Sequence, residues 1–171
     1  PDHVVLIDEA YVDFGGESCA DLIEKYPNLL CVQTFSKSRS MAGARLGFAI
    51  GSEELIADLE KIKYSTNPYN VNSLTQAAGV AAMQENGYYK RNCRRIIKSR
   101  AYTKKELEKL GFEVLPSKAN FVFARTKKIG GEERYLKRKE RGFLVRYFSS
   151  ARIKDLSDRG IPIKSKIESK V

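Results

Sequence analysis

The sequence predicts an α/β fold over its first half and a small α+β layer after it. Apolar runs at 4–7, 29–34 and 46–50 alternate with helical patterns, and this alternation is typical of a sheet covered by helices. The first run is continuous and ends in Asp8-Glu9, as strands of a buried, mostly parallel sheet do. After Gly111, short strands follow one another around a Pro116-Ser117 turn, which favours an α+β layer.

The helices are predicted from capping residues and from the spacing of apolar residues. Segment 53–63 is amphipathic, and Ser73 with Gln76 has the form of a capping box for a helix over 73–84. Asn86-Gly87 is expected to break that helix, and Gly111 is placed to cap the long basic helix that follows. The stripe of this long helix consists of Tyr89, Cys93, Ile96, Arg100, Leu107 and Leu110. The remaining predicted elements are helices at 21–26 and 132–141 and strands at 112–115, 120–124 and 143–148.

These elements divide the chain into three parts. The change of pattern places a boundary near residue 86, so residues 1–86 are predicted to form an α/β part and residues 87–155 a small α+β part. Residues 156–171 are polar, basic and aperiodic, and we expect them to be poorly ordered. The chain starts at Pro1 with no Met and no basic-then-apolar leader, so no targeting signal is predicted. Because residues 4–7 already have the pattern of a buried strand, we expect the chain to be a piece of a longer protein.

The net charge of +10 raises the question of a nucleic-acid partner. The excess lies in segments 90–109 and 134–141, which look helical and do not interleave aromatics with glycine as single-strand binders do. We interpret both segments as solvated helix faces and expect no nucleic acid. No run approaches the roughly 18 apolar residues of a membrane span, so we expect no membrane partner either.

The cysteines and the histidine bear on metal binding and on location. Cys19, Cys31 and Cys93 form no CxxC pair, and His3 is the only histidine. This pattern argues against a zinc site and against a disulfide framework, so no metal is predicted. Unpaired cysteines fit a reducing, cytoplasmic setting.

Four side chains occupy positions that suit chemistry in a single crevice. Asp8 follows the first strand, with Tyr11 three residues further on. Lys37 follows the second strand, and Arg45 comes just before the third. Open α/β sheets bind ligands at the carboxyl ends of their strands. Small and hydroxyl residues crowd around Lys37, which favours a ligand cradle over an ordinary surface lysine.

Two segments resemble the cofactor signature of the fold-type I aminotransferases. They are Asp8-Glu9-Ala10-Tyr11 and Ser36-Lys37-Ser38-Arg39-Ser40-Met41-Ala42-Gly43-Ala44-Arg45-Leu46-Gly47. Other segments resemble the histidinol-phosphate branch of that family, namely Asn70-Val71-Asn72-Ser73-Leu74, Pro116-Ser117-Lys118-Ala119-Asn120-Phe121 and Gly142-Phe143-Leu144-Val145-Arg146. The resemblance covers residues 1 to about 155. It implies that residues 1–86 are the C-terminal part of the family's cofactor-binding large domain and that residues 87–155 are its small C-terminal domain.

The resemblance implies that the cofactor is pyridoxal 5′-phosphate (PLP), an electron sink whose orientation and electronics the protein controls. Lys37 would form the Schiff base with PLP and later carry the proton between substrate and cofactor carbons. Asp8 would pair with the pyridinium nitrogen, and Tyr11 would hydrogen-bond the ring oxygen. The residues expected at the phosphate are Arg45, Ser36 and Thr34.

The same resemblance implies transamination of histidinol phosphate with 2-oxoglutarate, a step of histidine biosynthesis. Arg146 would contact the phosphate or carboxylate end of the substrate, and Asn70 would line the pocket mouth. An aminotransferase for aromatic or other phosphorylated amino acids is the alternative within the family. Family members build the site across a homodimer, so a dimer is expected of the full-length protein. The family's N-terminal part is absent here, so we expect this chain alone to be weak or inactive.

Two interpretations of another class stay open at this point. Residues 4–9 also have the form of a Walker B strand from a P-loop nucleotidase, although the chain contains no G-x-x-x-x-G-K-[ST] loop. The chain could also be a catalytically dead interaction module, because it departs from the family pattern after Asp155. Our hypothesis for this departure is a frame change or truncation near Asp155 and Leu156, and an uninterrupted frame at the parent locus would exclude it.

Overall fold

A computed structural model of the chain describes residues 3–126, 128–148 and 160–162. It contains two compact units, one ending at Cys93 and the other beginning at Arg94. An α/β unit is followed by an α+β unit, as the sequence predicts. The division lies within a long helix, and the boundary predicted near residue 86 falls at the start of that helix.

A three-stranded sheet in the order β1-β2-β3 forms the centre of the first unit. Strand β1 (Val5–Asp8) runs parallel to β2 (Leu29–Thr34), with Asp8 opposite Val32. Strand β3 (Gly47–Gly51) runs antiparallel to β2. The link between β2 and β3 covers residues 35–46 and contains a 3-10 turn at Ala42–Ala44 but no α-helix. Such a link can join antiparallel strands, whereas a parallel crossover usually needs a helix.

Burial within this sheet is concentrated in β2. Leu29, Leu30 and Cys31 are buried because β2 has a strand on each side. Strand β1 differs from the expectation of a buried strand, since Val5 and Leu6 are 47% and 57% exposed. Within the described part of the chain, β2 is its one neighbour, so β1 is an edge strand. Val5 and Leu6 point to opposite faces of the sheet and both are exposed, so neither face is well covered at this strand.

Short 3-10 turns at Val12–Phe14 and Ala20–Leu22 lie between β1 and β2. The second turn stands where the sequence predicted an α-helix over 21–26, and that prediction is wrong. Pro27 disfavours helical backbone at the residue before it, so the segment is too short to propagate an α-helix.

Helices α1 (Glu53–Thr66) and α2 (Ser73–Gln84) follow β3. The α2 cap is Asn72, whose Oδ1 accepts a hydrogen bond from Thr75 N at 2.9 Å. The predicted capping box therefore starts one residue too late, since Ser73 is already helical. An asparagine amide oxygen caps a helix as well as a serine hydroxyl does, and Asn72 is the residue with extended backbone.

Helix α3 (Asn86–Lys109) begins directly after Glu85, so Asn86-Gly87 opens a helix as well as following one. Gly111 ends it as predicted, with φ of +82° and its N–H donating to Glu108 O at 3.0 Å. Leu110, expected on the apolar stripe, is 67% exposed because it lies in the turn beyond the last helical residue.

In the second unit, β4 (Glu113–Val114) and β5 (Phe121–Arg125) pair antiparallel, close to their predicted positions. Alternate β5 residues face a core that contains Leu107, Val114, Val122 and Ala124. Helix α4 (Gly131–Glu140) follows. Strand β6 (Gly160–Pro162) pairs antiparallel with β5. The rest of segment 156–171 lies outside the described residues.

The strand predicted over 143–148 is not formed as a continuous element. Arg146 makes a single bridge, and its neighbours within 143–148 have no regular structure. Phe143 and Leu144 are 65% and 73% exposed, so the apolar residues that suggested a strand are not packed as strand residues. Over the residues that the structure describes, no helix has both the length and the apolar character needed to cross a membrane.

Candidate active site

The residues predicted to bind the cofactor lie at one edge of the first unit's sheet. Strands β1 and β2 are parallel, so their carboxyl ends lie at this edge, and antiparallel β3 begins there. Asp8 ends β1, Thr34 ends β2, and Arg45 lies just before β3. The strand order therefore brings together segments that are well separated in the sequence.

Lys37 is an exposed residue in the loop after β2. Its Nζ lies over the ring of Tyr11, 5.5 Å from the ring centroid. The face of an aromatic ring attracts a cation at this distance. The structure thus places the predicted lysine against the predicted tyrosine.

Asp8 presents its carboxylate at the same edge. Its Oδ1 accepts a hydrogen bond from Ala10 N at 2.9 Å, which forms an Asx-type turn at the end of β1. This bond orients the carboxylate while the residue as a whole stays exposed. Asp8 is therefore able to accept a further hydrogen bond from a cationic ligand atom.

The loop between β2 and β3 has an unusual backbone. Within the described residues, Ser40 and Arg45 are the two non-glycine residues with positive φ, at 58° and 56°. Left-handed backbone costs an L-residue free energy, so such residues persist where their surroundings hold them, often at functional sites. Position 47 requires glycine, because the Cβ of any other residue would lie 2.9 Å from the backbone oxygen of Gln33.

Hydrogen bonds in this loop determine which groups can receive a ligand. Arg45 Nη1 donates to Ala42 O at 3.0 Å, which occupies one of the five guanidinium donors. Thr34 Oγ1 accepts from Ser36 N at 3.1 Å and donates to Leu46 O at 3.4 Å. The Thr34 hydroxyl therefore supports the turn that carries Ser36.

The two predicted substrate residues lie in different units. Asn70 is exposed in the loop between α1 and α2 of the first unit. Arg146 lies in the second unit, with its guanidinium 5.0 Å from the centroid of the Phe148 ring. Their part in a substrate site stays a prediction.

The buried carboxylate of Glu9 is the centre of a polar cluster that the sequence did not indicate. It is 6% exposed and accepts hydrogen bonds from Ser18 Oγ at 2.7 Å, Cys19 N at 2.6 Å and Gln33 Nε2 at 2.9 Å. Burial acts to raise the pKa of the Glu9 carboxyl, but the hydrogen bonds together outweigh it, and the pKa is lowered. The cluster ties the end of β1 to the loop before β2 and to β2 itself.

We expect the free energy of unfolding to fall less between neutral and acid pH in Glu9→Gln than in the wild type. The folded pKa of Glu9 lies below its ordinary value of 4.5, so the carboxylate stabilises the fold above that pH. This stabilisation is lost as pH falls through the lowered folded pKa. Urea unfolding from about pH 3 to pH 7 should show a steeper acid decline in the wild type than in Glu9→Gln. Exposed Glu17→Gln is the control, and parallel curves for wild type and Glu9→Gln would contradict the prediction.

A second polar cluster surrounds Asp13, and the sequence did not indicate it either. Its Oδ2 accepts a hydrogen bond from Ser38 Oγ at 2.5 Å, and its Oδ1 accepts one from the Tyr89 hydroxyl. Burial, followed by the contact with Asp13, raises the pKa of Tyr89 well above its ordinary value. Burial is also the main reason that the pKa of nearby Cys93 is raised to about 11. The position of Ser38 directly after Lys37 could have indicated that it belongs to the site. No sequence pattern indicates that Tyr89 is the third residue of the cluster.

Comparison with known proteins identifies the family of the chain. Residues 2–137 match the family model described as aminotransferase class I and II. The chain is a member of this family. The match includes both Asp8-Tyr11 and Lys37–Arg45 segments, so it confirms the resemblance drawn from those motifs. It also overturns the alternative of a P-loop nucleotidase strand at residues 4–9.

Family members of known name and structure resemble the chain over most of its length. The histidinol-phosphate aminotransferase of Brachyspira hyodysenteriae is 55% identical over 150 residues, which is 87% of this chain and 42% of the relative. The solved histidinol-phosphate aminotransferase of Clostridium acetobutylicum gives a TM-score of 0.84 at 29% identity, covering 95% of this chain and 50% of that one. That of Sinorhizobium meliloti, solved in complex with pyridoxal-5′-phosphate, gives 0.75 at 25% identity, covering 89% and 42%. The chain spans about half the length of the relatives it matches.

Proposed function

We propose that the protein to which this chain belongs transfers an amino group between histidinol phosphate and 2-oxoglutarate, with PLP held at Lys37. The observation that carries the proposal is the Lys37 amine over the Tyr11 ring, at the sheet edge that also presents Asp8 and Arg45. The names of the relatives support the substrate, and the PLP complex of the Sinorhizobium meliloti relative supports the cofactor.

The side chains at this edge fit PLP in their chemistry. An amine, a carboxylate, a phenol and a guanidinium correspond to the aldehyde, ring nitrogen, ring hydroxyl and phosphate of the cofactor. A Cβ added at Gly43 would have no atom within 4 Å, so the space beside this backbone is open. An approaching group can therefore reach the chain closely between Lys37 and Arg45.

When bound, PLP supplies an electron sink for the substrate carbon that loses its proton. Lys37 Nζ would hold the cofactor and, after the substrate amine displaces it, take and return that proton. Lysine suits both tasks because its amine is a nucleophile and its protonation responds readily to its surroundings. Asp8 would accept a hydrogen bond from the ring nitrogen and keep it protonated, and the Tyr11 hydroxyl would donate to the ring oxygen.

The phosphate group would be held by Arg45 and Ser36. A guanidinium binds phosphate through two parallel N–H bonds, which fixes its direction as well as its distance. Thr34 would position Ser36 for this contact, because the Thr34 hydroxyl accepts a hydrogen bond from Ser36 N. Arg146 is the proposed contact for an anionic end of the substrate, and Asn70 is proposed to lie at the pocket mouth.

The proposal extends to the whole protein, of which this chain represents about half by comparison with its relatives. We propose a cytoplasmic homodimer for the full-length protein and little or no activity for this chain alone. The second candidate is an aminotransferase for aromatic or other phosphorylated amino acids. It stays a candidate because histidinol phosphate is favoured by the names of the relatives and not by a contact of this chain.

The test is to mix the purified chain with PLP, reduce with borohydride and locate adducts by peptide mass mapping. We expect a single major adduct on Lys37 and an imine band in the visible spectrum, both lost in Lys37→Ala. Exposed Lys105→Ala is the matched control and should leave the adduct in place. Adducts scattered over surface lysines, both in this chain and after addition of the N-terminal half of a relative, would overturn the proposal.

A further inference from the structure

We infer that Asp13 and Tyr89 are positioning residues for Lys37 and act through Ser38, the residue that follows it. The inference deepens the proposed function, on which it rests. It assigns a role to the partly buried cluster of Asp13, Ser38 and Tyr89, three residues that are not among the predicted site residues.

Ser38 fixes the backbone next to Lys37. Ser38 is 5% exposed, whereas Lys37 is exposed, so neighbouring side chains point to opposite sides of the loop. The Ser38 hydroxyl donates to Asp13 Oδ2 at 2.5 Å. A hydrogen bond to a carboxylate is among the stronger ones in proteins, so it restrains the peptide from which the Lys37 side chain extends.

Asp13 also lies on the turn that presents Tyr11 to the lysine amine. Phe14 N donates to Tyr11 O at 3.1 Å, and the Phe14 side chain is fully buried, which anchors this turn. One end of the turn thus places the Tyr11 ring beneath Lys37 Nζ, and the other end holds Ser38 through Asp13. The same short segment therefore orients Lys37 at its backbone and at its amine.

Tyr89 fixes Asp13 from helix α3. Its hydroxyl donates to Asp13 Oδ1, so the two carboxylate oxygens have different donors. The Arg39 guanidinium lies 4.0 Å from the centroid of the Tyr89 ring and donates to Ala82 O. The residues after Lys37 are thereby tied to α2 as well as to α3. A carboxylate held from both sides cannot rotate without losing a charge-assisted hydrogen bond.

The test measures the chemical reactivity of Lys37 without cofactor. The full chain is treated with a trace of acetic anhydride across a range of pH, and acetylation of each lysine is quantified by peptide mass spectrometry. In Ser38→Ala and in Tyr89→Phe, we expect acetylation of Lys37, relative to the mean of the exposed lysines, to rise about two- to fivefold. That factor is what an exposed contact between a cation and a ring is worth, and releasing the loop removes this contact.

Ser18→Ala is the matched control, because Ser18 also donates its hydroxyl to a carboxylate, that of Glu9 at 2.7 Å. Its Lys37 profile should equal that of the wild type, and Ser38→Thr, which keeps a hydroxyl, should restore the wild-type profile. Circular dichroism checks folding, and Tyr89→Phe decides the matter if Ser38→Ala does not fold. Unchanged Lys37 reactivity in the folded variants, or an equal change in Ser18→Ala, would overturn the inference. Borohydride labelling of the wild type reports separately on the proposed function, so the two can fail independently.

Discussion

Arg45→Ala is expected to weaken PLP binding by about ten- to a hundredfold, the factor that hydrogen bonds to a charged group are worth. Arg45 is exposed at the start of β3, and one of its donors is used for Ala42 O. The remaining donors are the strongest phosphate-binding groups proposed for this edge. Equilibrium titration of the chain with PLP, followed by absorbance, measures the loss directly.

The matched variants for this experiment separate charge from geometry. Arg45→Lys keeps the charge but loses the two parallel N–H groups, so its affinity should fall between wild type and Arg45→Ala. Exposed Arg94→Ala removes an equal charge from α3 and should bind PLP as the wild type does. Equal affinity of Arg45→Ala and wild type would show that this arginine does not hold the phosphate.

Phe14→Ala is expected to destabilise the first unit by about 3–5 kcal/mol, the usual cost of removing a buried phenylalanine ring. Phe14 is 0% exposed, and its ring centroid is 6.5 Å from that of Tyr11. The substitution would leave a cavity under the turn that presents Tyr11 and Asp13. Urea unfolding monitored by circular dichroism gives the change in free energy.

Phe143→Ala is the control for this substitution because Phe143 is 65% exposed. Its effect should stay within about 0.5 kcal/mol, as for most surface substitutions. A loss below about 1 kcal/mol in Phe14→Ala would mean that the surroundings collapse into the space, and the turn would not depend on this ring.

The sequence predicted those parts of the site that depend on chain order alone. Asp8 and Lys37 each follow an apolar run, and parallel strands place such residues at one edge, so their convergence could be anticipated. The antiparallel direction of β3 could not be predicted, because the link over residues 35–46 is long enough for either strand direction and apolar periodicity carries no direction.

The two polar clusters around Glu9 and Asp13 could not be predicted in this way. Glu9 reads in the sequence as half of an Asp-Glu pair, and its burial depends on donors at Ser18 and Gln33. Tyr89 appeared as one apolar position on a helical stripe, whereas its hydroxyl meets Asp13 from far along the chain. Contacts of this kind depend on tertiary packing, and local spacing gives no information about them. The capping residue of α2 shows a smaller error of one position, because Asn72 and Ser73 are both good caps.

The open side of β1 has a consequence for handling the chain in solution. On the side away from β2, its backbone N–H and C=O groups have no strand partner within the described residues, and the side chains of Val5 and Leu6 are largely exposed. An apolar strand with one bare side is a template on which a strand from another molecule can add. The share of this polypeptide that stays monomeric would then fall as its concentration rises, and Leu6→Lys, which puts a charge on the edge strand, would oppose strand addition.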